Sequence, residues 1–179
     1  MGSFQLLRSE LVFQGRTFKI RRDYLTTPDG RETKYEIVEH FGSVILLPLD
    51  GEGNLLFVRQ YRPAAAMQVL ELPAGTREPD EPYDDCAARE IREETGMAAG
   101  KLERIGEFYL APGYSTEFMA VYLATELIHN PLKADADEFL QLEKIPVRTA
   151  VKMALTGQIP DAKSLAALFL AKPKIEKNL

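Results

Sequence analysis

Acidic side chains crowd one short stretch of the chain, Gly75–Met97, in which Glu81 is followed by Glu90, Glu93 and Glu94. If the second half of this stretch is a helix, residues three and four apart share a face, so these last carboxylates lie together. Glu90 and Glu94 then repel each other, at a cost of about 0.2–0.5 kcal/mol, and a cation removes that repulsion. Clustered carboxylates suit Mg²⁺ or Mn²⁺. The alternative is a solvated helix laced with surface ion pairs.

A metal held in this way has a direct use in phosphate chemistry. Metal ions neutralise the charge of a diphosphate, which otherwise repels an incoming hydroxide, and they lower the pKa of a bound water. A carboxylate can accept the proton of that water. The stretch by itself predicts a divalent-cation site for phosphate chemistry and no particular substrate.

A helix predicted over Tyr83–Thr95 must position these carboxylates. Pro82 suits its first position, and Gly96 suits the position just past its end. Apolar and β-branched runs predict strands on both sides of it, at residues 4–13, 17–24, 34–38, 44–49, 55–61, 69–72, 102–110, 117–124 and 138–145. The runs on either side of residues 50–54 are expected to pair as a hairpin. Two further helices are expected, at Val147–Thr156 and at Asp161–Ala171 with Asp161 as the cap.

This mixture of elements predicts an α+β fold, a mixed α/β/α sandwich, and not a doubly wound sheet. Residues 1–41 are expected to form an N-terminal antiparallel β-sheet arm, and residues 42–179 the main domain. Three short strands form a weak domain alone, so the arm needs a partner surface. Cys86, Met67 and apolar residues of the last two helices are expected in the core, the latter being Val151, Leu155, Leu165, Leu168 and Phe169.

Composition excludes several classes of protein. Lys and Arg number 22 against 27 Asp and Glu, a net charge of −5, so there is no basic excess to bind a nucleic acid. A single cysteine excludes an internal disulfide and fits a reducing cytoplasm. One cysteine and two histidines cannot build a typical structural zinc site. No apolar run is long enough to span a membrane.

The whole acidic stretch resembles the signature of the Nudix hydrolases and matches it without a departure. In order, the signature has Gly75, Glu81, Arg89–Glu90–Ile91, Glu93–Glu94 and Gly96–Met97. The resemblance implies a Mg²⁺-binding loop–helix–loop, with Mn²⁺ as a substitute, in an enzyme that hydrolyses a nucleoside diphosphate linked to another moiety.

The same resemblance implies a role for each charged residue of the stretch. Glu90 and Glu94 are the principal metal ligands, with Glu93 nearby. Arg89 orients the glutamates and is grouped with Glu93 in the catalytic set. Glu81 supports the loop or joins the metal shell.

Segments outside this stretch resemble one subgroup, the ADP-ribose pyrophosphatases. They are Val58–Pro63, Leu70–Gly75, Pro112–Gly113 at fifteen residues beyond Met97, and Gly157–Lys163. The implied reaction cuts ADP-ribose to AMP and ribose 5-phosphate. Two alternatives stay open: another nucleoside diphosphate sugar such as GDP-mannose, or a catalytically silent nucleotide sensor.

The subgroup also implies further site residues. Ala74 gives its backbone carbonyl to the metal, and Arg62 meets the diphosphate or its ribose, with Arg59 beside it. Pro112 and Gly113 join the substrate-binding set. Glu138 is the predicted general base, with Asp135 and Asp137 as competitors. The alternatives are arginines that merely flank a strand end and an ordinary acidic loop.

In this subgroup the N-terminal sheet is exchanged across a homodimer and helps to bind adenine. Tyr35 is accordingly predicted to stack on the base and Glu36 to accept its amino group. Phe18 is a second stacking candidate. The chain has no tryptophan, unlike members that stack one there. The alternative for Tyr35 is cross-strand packing.

Overall fold

The structure is a computed structural model, and it describes residues 2–133 and 139–175. The chain divides into two compact units. The first contains Met1–Gly42 and Phe108–Phe118, and the second contains Ser43–Glu107 and Met119–Leu179. The α+β class expected from the sequence is confirmed.

The first unit is built on a three-stranded antiparallel sheet with the middle strand of the sequence at its centre. Its strands are β1 (Gln5–Gln14), β2 (Lys19–Thr26) and β3 (Glu32–Glu39). Gly30 makes the turn into β3 at a φ of 86°, and its N–H donates to the carbonyl of Thr27 at 2.9 Å. The three strands expected in this part of the chain are therefore confirmed.

Within the residues that the structure describes, the remainder of the chain forms two sheets and three helices. In chain order the elements are β4 (Ser43–Pro48), β5 (Asn54–Arg62), β6 (Met67–Glu71), β7 (Ala74–Thr76), α1 (Tyr83–Thr95), β8 (Met97–Tyr109), β9 (Phe118–His129), β10 (Gln141–Pro146), α2 (Val147–Leu155) and α3 (Ala162–Ile175). The last two residues of β8 and the first residue of β9 belong to the first unit. One sheet has the order β10-β5-β6 and the other β7-β4-β9-β8. The short strand β7 is not anticipated from the sequence.

The predicted hairpin of β4 and β5 is wrong. The turn forms, with Asp50 accepting hydrogen bonds from the N–H groups of Glu52 and Asn54 at 2.9 Å each. Beyond it the chain passes into the other sheet. Among the described residues, the two segments are joined by an isolated bridge between Leu49, which follows β4, and Leu55 of β5. Every residue of β4 is buried, and the strand pairs with the parallel strand β9 on one edge and with the antiparallel strand β7 on the other. Because both edges of β4 are occupied within its own sheet, no edge is left for β5.

One hydrophobic core cluster of the second unit lies where α1 packs on β4. Val44 and Leu46 of β4 meet Cys86, Ala87 and Ile91 of the helix, and all are fully buried. Alternate residues of β4 point to opposite faces. One face of the strand is thus reserved for the helix that carries the acidic residues.

The core prediction is wrong for four residues, three of which lie on α2 and α3. Leu155 is 83% exposed and Phe169 77%, and Met67 and Leu165 are also exposed. The buried face of α3 instead runs through Lys163, Ser164, Ala167, Leu168, Ala171 and Ile175. When a helix has apolar residues on several sides, its sequence does not fix which side packs against the protein. In α3 the polar residues Lys163 and Ser164 are buried because they have hydrogen-bonding partners. None of the helices within the described residues is long and apolar enough to cross a membrane.

Candidate active site

The helix α1 has the predicted limits, Tyr83–Thr95. Pro82 lies one position earlier than expected, as the N-cap with extended backbone. Gly96 ends the helix at a φ of 71°, where its N–H donates to the carbonyl of Arg92 at 3.2 Å. A left-handed residue at this position is the usual end of a helix and favours glycine.

The acidic face of α1 is turned into the protein. Glu90 is 8% exposed and Glu94 7%, and they lie on the helix face that also buries Cys86, Ala87 and Ile91. Burying a carboxylate costs free energy unless it is paired or bound. The burial argues against a solvated helix with surface ion pairs.

Arg89 connects the carboxylates of this stretch. Its Nε and Nη2 donate to the two carboxylate oxygens of Glu81, at 2.9 Å each. Its Nη1 donates to Glu90 at 2.7 Å and to Glu93 at 2.8 Å. The hydrogen bonds to Glu81 raise the pKa of Arg89 above its usual range, and Arg89 lowers the pKa of Glu81 to about 2. Such geometry suits a residue that orients glutamates.

The glycine that begins the signature, Gly75, lies where a side chain would collide with Glu90. A Cβ at Gly75 would lie 1.8 Å from the Cδ of Glu90, which no real contact allows. Next to it, the N–H of Ala74 donates to Glu94 Oε2 at 3.1 Å. The backbone of β7 thus approaches both buried glutamates closely, and a larger residue at position 75 would have to displace the Glu90 carboxylate from its hydrogen bond with Arg89.

Arg62 and Arg59 each have an acidic partner. Arg62 donates from Nε and Nη2 to the two oxygens of Glu71 at 2.8 and 2.9 Å, and this pairing raises the pKa of Arg62. Arg59 Nε donates to Glu143 at 2.5 Å. Both arginines keep an exposed portion, 35% of the side chain for Arg59 and 41% for Arg62.

Comparison with protein families decides what this arrangement is. The family model of the NUDIX domain matches residues 39–168. The chain belongs to the Nudix family. The Nudix match contains the acidic helix, the glycine strand and both arginines.

Curated Nudix relatives align with nearly the whole chain. ADP-ribose pyrophosphatase of Bacillus subtilis is 34% identical, with 90% of this chain and 89% of that protein covered. ADP-ribose pyrophosphatase of Mycobacterium tuberculosis is also 34% identical, with 93% and 82% covered. GDP-mannose pyrophosphatase of Yersinia enterocolitica is 28% identical, with 93% of each covered. Together with the domain match, these relatives make the chain a Nudix hydrolase.

A solved structure shares the fold. The crystal structure of an ADP compounds hydrolase superposes with a TM-score of 0.86 and covers 99% of this chain and 96% of that chain. Sequence identity is 24%, so this likeness concerns the fold alone.

Nudix hydrolases generally need a divalent metal, and the described residues allow a test of the fit. Among these residues, no three Asp, Glu, His or Cys side chains are grouped so as to hold a metal ion. Glu90 and Glu94 are nevertheless buried on one helix face, with the backbone of Ala74 against Glu94. Mg²⁺ keeps several waters and needs only one or two carboxylates beside substrate phosphates. The donor set therefore fits a hydrated divalent ion.

The predicted residues of the first unit are placed as follows. Tyr35 is 46% exposed, and its ring meets that of Phe4 edge-on at 6.4 Å between centroids. Glu36 pairs with Arg22 at 3.0 Å, and Phe18 lies 6.3 Å from Phe13, again between ring centroids. Pro112 and Gly113 are exposed in the turn after β8. Glu138, Asp135 and Asp137 lie outside the described residues.

Two buried charged residues linked to Arg62 were not identified from the sequence. Glu71 is 1% exposed and binds Arg62, and Lys163 is buried and binds Glu71. The available signal was a glutamate and a lysine inside mostly apolar segments, Val69–Leu72 and Ala162–Leu170. A buried charge in such a segment requires an opposite charge.

Proposed function

We propose that this Nudix hydrolase cuts the diphosphate of ADP-ribose into AMP and ribose 5-phosphate, with Mg²⁺ as the metal and Mn²⁺ as a substitute. The observation that carries the proposal is the pair of buried glutamates, Glu90 and Glu94, packed against the glycine strand. The substrate is suggested by the two ADP-ribose pyrophosphatases at 34% identity.

Glu90 and Glu94 hold the metal, together with the carbonyl of Ala74. Bound there, the metal neutralises diphosphate charge and lowers the pKa of a water. Arg89 keeps Glu81, Glu90 and Glu93 in place through its hydrogen bonds. Glu93 and Glu81 lie in the surrounding carboxylate shell. Because this shell is pre-formed by one arginine, little reorganisation is needed when substrate binds.

Arg62 binds the substrate diphosphate or its ribose. The Nε and Nη2 of Arg62 donate to Glu71, and no described residue accepts a hydrogen bond from the Nη1 of Arg62. The guanidinium therefore keeps a donor for a ligand oxygen while Glu71 fixes its plane. Arg59, on the same strand, is the second candidate for this role.

Glu138 takes the proton of the attacking water in the proposed reaction, with Asp135 and Asp137 as the competing carboxylates. A general base needs a position within hydrogen-bonding reach of that water. The assignment rests on the resemblance of residues 135–140 to the acidic loop of the subgroup.

Tyr35 stacks on the nucleobase, and Glu36 accepts its amino group. For Tyr35, support comes from a cavity of about 580 Å³ in the first unit, which Tyr35 lines together with Phe4, Arg31 and Asp29, whereas the role of Glu36 rests on the resemblance alone. Two aromatic rings and a cation at one opening suit a planar base. Phe18 is the second stacking candidate, and Pro112 and Gly113 contribute an exposed turn to substrate binding.

The proposal includes a cytoplasmic homodimer. Residues 1–41 form the N-terminal arm through which the two copies contact each other, and residues 42–179 form the Nudix hydrolase domain. The support for the contact is β1, on which Leu6, Leu7, Leu11, Val12 and Phe13 are all about half exposed or more. The location rests on the single cysteine.

The test is a substrate panel with metal titration. Wild-type protein is incubated with ADP-ribose, GDP-mannose and other nucleoside diphosphate sugars, and nucleoside monophosphate release is measured as kcat/KM. We expect AMP from ADP-ribose only with a divalent metal and with the highest kcat/KM. Absence of AMP with every metal and at every pH tried contradicts the proposal.

GDP-mannose is the second candidate substrate, because the Yersinia relative covers as much of the chain as the ADP-ribose enzymes do. A higher kcat/KM for GDP-mannose than for ADP-ribose favours it. Tight binding of ADP-ribose without turnover favours instead the catalytically silent sensor.

A further inference from the structure

A buried charge network joins the start of α3 to the ends of β5 and β6. The Nζ of Lys163 donates to Glu71 Oε2 and, at 2.9 Å, to Asp161 Oδ1. Asp161 Oδ2 accepts the N–H of Ser164 at 3.0 Å, which caps the helix. The Oγ of Ser164 accepts the N–H of Leu72 at 2.8 Å. The helix terminus is thereby fastened to the strand end that carries Glu71.

Glu71 stands at the centre of this network. It is 1% exposed, and its two oxygens receive both the fork of Arg62 and the ammonium group of Lys163. A buried carboxylate with one partner removed is left partly uncompensated, and it moves toward any remaining donor or toward water. Lys163 therefore restricts where Glu71, and with it Arg62, can lie.

We propose that Lys163 is a positioning residue for substrate binding. From the first turn of α3 it holds the carboxylate of Glu71, and Glu71 holds the guanidinium of Arg62 against the substrate. Lys163 is only 9% exposed and both its hydrogen bonds go to carboxylates, so it acts through these partners. The inference rests on the proposed function, because it takes Arg62 as the substrate-binding group.

The test is a double-mutant cycle of Lys163→Met and Arg62→Ala, assayed with ADP-ribose. Methionine keeps an unbranched apolar stem and removes the ammonium group. We expect Lys163→Met to raise KM by about 3- to 30-fold while kcat changes far less, since coupled neighbours interact on this scale. In the Arg62→Ala background the same substitution should leave KM unchanged.

Lys174→Met is the matched control. Lys174 lies on the same helix and also forms an ion pair, with Glu103 at 2.6 Å, but both side chains are exposed. Its replacement should leave KM and kcat at wild-type values. Lys163→Arg, which keeps the charge, should raise KM less than Lys163→Met does. If the methionine variant does not fold, Lys163→Gln, which also removes the charge, takes its place in the cycle.

The outcomes separate this inference from the proposed function. An equal rise in KM with and without Arg62 overturns it, since Lys163 then acts directly on substrate or on the fold in general. An unchanged KM in Lys163→Met overturns it as well. Both results leave the proposed function standing, provided wild-type protein releases AMP. If the wild type neither hydrolyses nor binds ADP-ribose, the proposed function fails and the inference fails with it.

Discussion

At the scale of single residues, the site depends on a few atoms that are buried and charged. Glu94 is a clear case, since its carboxylate is 7% exposed and accepts the N–H of Ala74. Replacing it with glutamine keeps the shape and removes one negative charge from the proposed metal site. The consequences of such changes are the most direct tests of the site.

Glu94→Gln is expected to lower kcat for ADP-ribose by about 100-fold or more, because a metal-binding charge is lost. The circular dichroism spectrum and Tm should stay close to those of the wild type. Glu103→Gln, at an exposed ion pair of the same unit, is the control and should retain activity. Near-normal turnover by Glu94→Gln would count against the metal assignment.

Gly75→Ala is expected to destabilise the protein by about 1–3 kcal/mol and to reduce activity, because the new Cβ overlaps Glu90. Urea unfolding and a turnover assay measure the two effects. Gly51→Ala is the control, since no atom lies within 4 Å of a Cβ there. Equal stability of both variants contradicts the close approach of β7 to Glu90.

Cys86 is expected to be inert in the native protein. It is fully buried, and burial raises the pKa of its thiol, so little thiolate forms at neutral pH. A thiol reagent such as Ellman's reagent should react only after unfolding in denaturant. Rapid reaction in the folded state would show that the packing of α1 is looser than the structure indicates.

At the scale of elements, α1 is fixed by its ends as much as by its packing. Gly96 holds a left-handed backbone at the junction with β8. Gly96→Ala is expected to cost about 1 kcal/mol of unfolding free energy, measured in urea, because a Cβ is unfavourable at this φ. The matched control is again Gly51→Ala, whose φ is not positive. An unchanged midpoint for Gly96→Ala contradicts this account of the helix end.

At the scale of the whole molecule, the proposed homodimer depends on the exposed apolar residues of β1. In the first unit, β1 exposes leucine, valine and phenylalanine side chains on both its faces. Single exposed apolar residues are ordinary on a protein surface, but a strand with so many of them is unusual. Leu11→Lys is expected to shift the protein from dimer toward monomer, as measured by light scattering after size exclusion. Leu155→Lys, at an 83% exposed position of α2, should leave the dimer intact. A wild-type monomer, or dissociation by Leu155→Lys alone, contradicts the proposed interface.

Much of the fold was predictable because local signals were strong. The limits of α1 followed from Pro82 and Gly96, and the three strands of the first unit followed from β-branched runs and a Pro-Asp-Gly turn. The pairing of β4 was not predictable from the turn at Asp50. A turn fixes the change in chain direction, whereas the strands that occupy the two edges of β4 come from distant segments of the chain.

The sequence by itself carried the complete signature from Gly75 to Met97, and it placed Glu90, Glu93 and Glu94 on one side of a predicted helix because residues three and four apart share a face. Only the tertiary structure decided that Glu90 and Glu94 face inward and that Gly75 makes room for one of them. It also decided that Lys163 meets Glu71 across 92 residues of chain. Helical spacing is local and can be read from the chain, but the partner of a buried charge is set by which distant segments pack together.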